Sequence, residues 1–79
     1  MAANVLEELL LLCQAAAEAG EDWRRRLERE WLPQVLHKRE GALRCAVAEW
    51  KGHGAFERES LHSLTLAILE EAMAEAGYQ

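Results

Sequence analysis

Residues that carry recognisable chemistry are scarce in this sequence. It has two cysteines, Cys13 and Cys45, and two are too few for the disulfide framework of a small secreted domain. No Cys-x-x-Cys or His-x-x-x-His pair joins them to His37 or His53, so no zinc motif is written here. Ser60 and Ser63 are the only serines, and both fall at a helix start rather than in a nucleophile motif. Gly52 and Gly54 lack the lysine and Ser/Thr that follow them in a phosphate-binding loop. The longest apolar stretch, LEELLLLC, is too short to span a membrane and has no basic segment before it, so it is not a signal peptide. There is one proline, Pro33, and no stretch with the alternating pattern of a half-buried strand. These gaps point away from an enzyme, a cofactor or a membrane role. They favour a soluble cytoplasmic protein with its thiols free.

At 79 residues the chain is long enough for one domain, residues 1–79. A core of that size is modest, and small scaffolds commonly add oligomerisation or very regular helix packing. The net charge of −5 is unevenly spread. Residues 1–20 carry three acids and no base, residues 21–51 carry six acids and eight bases, and residues 52–79 carry five acids and one base. The acidic total argues against nucleic acid as a partner.

What the sequence does contain is helix pattern. Asn4 is a good N-cap for a first helix over 5–19, with Glu7 placed for a capping box and Gly20 for the left-handed stop. Val5, Leu6, Leu9, Leu10, Leu12, Cys13, Ala16 and Ala17 fill one side of it; Leu11 falls in the middle of the polar arc. Asp22 caps a long second helix. Trp23, Leu27, Trp31 and Val35 form its first apolar row, and Leu36, Leu43, Val47 and Trp50 continue out of phase beyond Pro33. A proline inside a helix removes one backbone hydrogen bond and crowds the turn before it. The phase change therefore predicts a kink at Pro33, or a split into two helices there. Gly41 weakens the helix further on. The last helix runs from Phe56 or Glu57 to Ala76, with Gly77 as its cap. The expected fold is all-α: a small antiparallel bundle of three helices, the long middle one kinked or split at Pro33 and packed by a helix from each flank. The three tryptophans lie on apolar rows and are expected to be mostly buried.

Two sets of residues stand out as candidate sites. Arg24, Arg25, Arg26 and Arg29 are the densest basic cluster. Arg24 with Glu28 and Arg26 with Glu30 have the spacing for ion pairs along a solvated helix face. The functional alternative is a docking patch for an acidic partner built on Arg24, Arg25, Arg29 and Trp31, with Leu11 as a further contact. Glu59 and His62 form the second set. Their Glu-x-x-His spacing puts both on one helix face, as in carboxylate-bridged metal bundles, but a complete ligand set would need a second copy of the chain. The apolar surplus of the first and last helices leads to the favoured reading. It is a small interaction module (an adaptor, regulator or accessory subunit) that forms a homodimer or meets another protein through Leu11. A metal-binding bundle completed across a dimer through Glu59 and His62 is the alternative.

Overall fold

The structure is a computed structural model in which residues 4–51 and 60–78 are described. Local chemistry sets most helix ends. Helix α1 is Val5–Glu18. Asn4 is extended at its start, and its side-chain oxygen accepts from the Glu7 backbone N–H at 2.9 Å, satisfying one of the donors a helix start leaves free. At the other end Gly20 takes φ +79°, the left-handed conformation that costs glycine nothing. The turn this permits lets Glu21 N–H reach the Ala16 carbonyl and Gly20 N–H the Ala17 carbonyl, the paired bonds of a Schellman motif. The same arrangement ends the last helix, with Gly77 at φ +94° and Tyr78 N–H on the Met73 carbonyl.

Helix α2 covers residues 23–38 and begins on the Asp22 cap, whose carboxylate accepts from Arg25 N–H at 3.3 Å. It runs through Pro33 without a break. The turn before the proline, Leu27–Trp31, is wound as a π-helix, with Leu32 N–H donating to the Leu27 carbonyl five residues back. A wider turn at that point relieves the crowding that a proline ring imposes on the preceding carbonyls, so the helix can continue.

The break falls six residues later. Arg39 has φ −138° and ψ 37°, outside helical values. Its N–H closes α2 on the Val35 carbonyl at 2.7 Å, and its own carbonyl accepts from Leu43 N–H at 3.0 Å to open helix α3, Glu40–Lys51. Helix α4 is Leu61–Glu75. The expectation of three helices with the middle one kinked or split at Pro33 is thus corrected: the described residues form four helices, and the division is at Arg39. Redirecting the chain there turns Leu43, Ala46 and Val47 inward. Burying a residue such as leucine or valine contributes about 1.5–3 kcal/mol, more than the loss of one helical hydrogen bond costs. The loop expected at Gly52 and Gly54, and the expected start of the last helix at Phe56 or Glu57, lie outside the described residues.

Helix α1 packs against each of the other three helices, and α4 packs against both α1 and α3. The middle stretch is therefore not the hub; α1 is. Leu6, Leu9 and Cys13 from α1 meet Trp23, Leu27 and Leu32 from α2, Leu43 and Val47 from α3, and Leu61, Ile68, Leu69 and Met73 from α4. Thr65, fully buried, returns its hydroxyl to the Leu61 carbonyl at 2.8 Å. Among the described residues no buried side-chain nitrogen or oxygen lacks a partner. The radius of gyration is 12.0 Å, close to the roughly 12 Å of a well-packed domain this long.

The tryptophans divide. Trp23 is buried, Trp31 is half-buried, and Trp50 is 46% exposed, so the expectation that all three are mostly buried fails for Trp50. Leu43, Ala46 and Val47 form the inner face of α3; Trp50 lies on the same face but almost a turn beyond Val47, near the end of the helix.

Candidate functional site

Helices α1 and α2 run antiparallel, joined by the tight turn through Gly20 and Asp22. Their far ends are tied by Arg39, which grips Glu8 with both terminal nitrogens, at 2.9 and 3.4 Å. The hydrogen bond from Arg39 holds the Glu8 carboxyl below the usual carboxylate range, and the same contact raises the Arg39 pKa. Just inside this clamp lies an open groove of about 190 Å³. Leu9 and Leu12 of α1 form one wall, and Trp31, Gln34, Val35 and Lys38 of α2 form the other, with Arg39 at the end.

The groove is apolar at its floor and cationic at its rim. The Arg26 guanidinium lies over the Trp31 ring, 4.6 Å from its centroid. Two carboxylates fix it there: Glu21 at 2.7 Å and Glu30 at 3.1 Å. The π turn helps make this possible, because it brings residues five apart onto one face. The Arg26 contact in turn holds the Glu30 carboxyl below its ordinary range.

Leu12 is 43% exposed at the groove and Leu11, beside it, is 61% exposed. The exposure of Leu11 follows from its place on the polar arc. That of Leu12 does not, since periodicity puts it on the apolar side. Five consecutive residues, Leu9 to Cys13, surround the helix, and three packed neighbours still leave two of them in water.

Of the other sequence candidates, Trp31 alone lines the groove. Arg24 does not pair with Glu28 as its spacing suggested. It lies over the Trp23 ring at 4.5 Å and meets Glu70 of α4 at 3.6 Å. That places it in the seam between α2 and α4. Arg25 and Arg29 are exposed, with no ion partner among the described residues. The groove thus takes in Trp31 and none of Leu11, Arg24, Arg25 and Arg29. Leu12, Gln34, Val35, Lys38 and Arg39 were not singled out as site residues. Their one signal was the Trp31–Val35 row, read as core.

Glu59 lies outside the described residues, and His62 is exposed on the first turn of α4. Among the described residues no three of His, Cys, Asp and Glu gather as a metal site would require. Cys13 and Cys45 are both free; burial pushes the Cys13 thiol up to about 11, which makes it unreactive at neutral pH. None of the helices described is long and apolar enough to cross a membrane.

These features define an all-α chain with one apolar, cation-rimmed groove between its first two helices among the described residues. Comparison with protein families, with curated proteins and with solved structures finds no match.

Proposed function

We propose that this chain is a small cytoplasmic protein–protein interaction module, an adaptor, regulator or accessory subunit, that receives its partner on the groove between α1 and α2. The observation that carries this reading is the exposed Leu12, 43%, on the wall of a groove lined also by Trp31 and Val35, with Leu11, 61% exposed, next to it in α1. Contiguous exposed apolar surface of this kind costs solubility and typically marks a contact site, whereas a lone exposed leucine needs no explanation. Aromatic anchors in a groove with cations at the rim are the usual make-up of such contacts. The free thiols of Cys13 and Cys45 suit a reducing compartment. The acidic total, −5, favours a protein over a nucleic acid as the partner.

The test is capture from the native host on immobilised full-length chain, comparing the wild type with Leu12→Lys and with Glu71→Lys, an exposed change on α4. The expected outcome is a partner held by the wild type and by Glu71→Lys and lost from Leu12→Lys, with helical content unchanged by circular dichroism. Identical captured sets from all three would sink the reading.

A further inference from the structure

We infer that the first occupant of the groove is a second copy of this chain, bound so that each α1 lies over the partner's α2. The inference rests on the groove being an interaction surface, and it adds the identity and orientation of the occupant.

Charge is the first argument. Helix α1 carries Glu7, Glu8 and Glu18 and no base, a net −3. Helix α2 carries five bases against Glu28 and Glu30, a net +3. The groove runs between these two helices of opposite net charge. A two-fold axis along the groove exchanges its sides, so it sets the acidic helix of each copy on the basic helix of the other. An axis across the groove would instead stack α1 on α1, acid on acid. Closed two-fold contacts are self-complementary by construction, and here only the first orientation meets that condition.

Shape is the second argument. The Glu8–Arg39 clamp and the groove walls fix how α1 is aligned with α2: its start lies beside the end of α2, and Leu12 lies level with Trp31 and Val35. Rotation about an axis along the groove preserves these levels. Leu11 of each copy, the most exposed large apolar side chain described, then arrives over Trp31 and Val35 of the partner subunit. Glu7, exposed one residue before the clamp, arrives beside Lys38 of the partner subunit, which is exposed at the groove rim.

Area is the third. A stable contact buries about 800 Å² per partner. That is a modest share of the 5069 Å² the chain exposes, and this orientation offers the outer faces of both α1 and α2 to it. The last helix offers less to this contact. Leu64 and Leu66 are already half-buried, because α4 is flanked by α1 and α3.

Sedimentation equilibrium of the full chain, from about 1 to about 300 µM, tests the inference. The wild type is expected to dimerise in that range. Leu11→Glu, on a fully helical and exposed position, is expected to weaken the dimer at least about tenfold. Glu7→Lys and Lys38→Glu are each expected to weaken it about three- to tenfold, and the double variant to return to within about twofold of the wild type. A wild-type monomer at the top concentration, or two charge changes that do not compensate each other, would overturn the inference. If the chain is monomeric yet Leu12→Lys still loses a captured host protein, the groove stands as an interaction surface and the second copy does not. If Leu12→Lys loses nothing either, both readings fall.

Discussion

Trp23 and Trp50 have the same side chain and opposite surroundings. Trp23 closes the core between α1 and α2, with Arg24 laid over its ring; Trp50 stands 46% exposed near the end of α3. Truncating a buried tryptophan to alanine leaves a cavity as well as losing transfer energy, about 3–5 kcal/mol together. Truncating one half in water forfeits far less. Trp23→Ala is therefore expected to lower unfolding free energy by about 3–5 kcal/mol and Trp50→Ala by less than about 1 kcal/mol, read from urea titrations followed by circular dichroism. Equal losses would show that the tryptophans are not partitioned as described. Sequence periodicity assigned all three to apolar rows. It had no means of separating them, because the separation depends on where α3 is aimed.

At the scale of elements, Pro33 and Gly41 exchange the roles their chemistry suggests. The proline, the strongest breaker in the chain, sits within a continuous helix behind a π turn. The break comes at Arg39, just before the glycine. Gly41 does not adopt left-handed backbone, and a Cβ placed on it would meet no atom within 4 Å. Nothing in the packing therefore requires glycine there, and it does not admit a close neighbour. Its effect is to weaken the first turn of α3, by about 1 kcal/mol relative to alanine. Gly41→Ala is expected to stabilise the chain by about 0.5–1 kcal/mol, measured as a higher urea midpoint with unchanged slope. A destabilised variant would mean that α3 needs the freedom of glycine at its start. The phase change in the apolar rows was a correct signal of redirection. It was assigned to Pro33 because sequence alone cannot show that a π turn has absorbed the proline.

For the molecule as a whole, the Glu8–Arg39 pair matters because it joins residues 31 positions apart and ties the break between α2 and α3 to the hub helix. Its dependence on pH has a definite sign. The folded Glu8 carboxyl is held below its ordinary value of 4.5, so folding favours the ionised form. The contribution is fully present above that value and is lost as pH falls through the lower folded one. Glu8→Gln keeps the shape and lacks the charge. The difference in urea midpoint between wild type and Glu8→Gln is expected to shrink as pH drops from about 6 to about 3, while other acids such as Glu30 titrate alike in both. A difference that does not change with pH would show that the pair is not charged in the folded state. Both partners are solvent-exposed, so the effect is modest and weakens with added salt. Arg39 itself was not a sequence candidate, since a contact over that separation leaves no local pattern.

The sequence by itself determined the all-α class and four helix-end residues: Asn4, Gly20, Asp22 and Gly77. Caps and left-handed stops are satisfied by backbone groups within a few residues, so their chemistry is complete in the local chain. It also determined the exposure of Leu11, through its place on the polar arc, and the Arg26–Glu30 pair, through helical spacing. Only the tertiary structure decided that α1 is the hub and that the chain divides at Arg39. The same packing exposed Leu12 and Trp50, gave Arg24 to Glu70 rather than Glu28, and opened a groove beside Trp31 and Val35. Each of these depends on the angle at which one helix meets another distant in sequence. That angle is set by how the apolar faces of four helices share one small core, and no window of adjacent residues contains it.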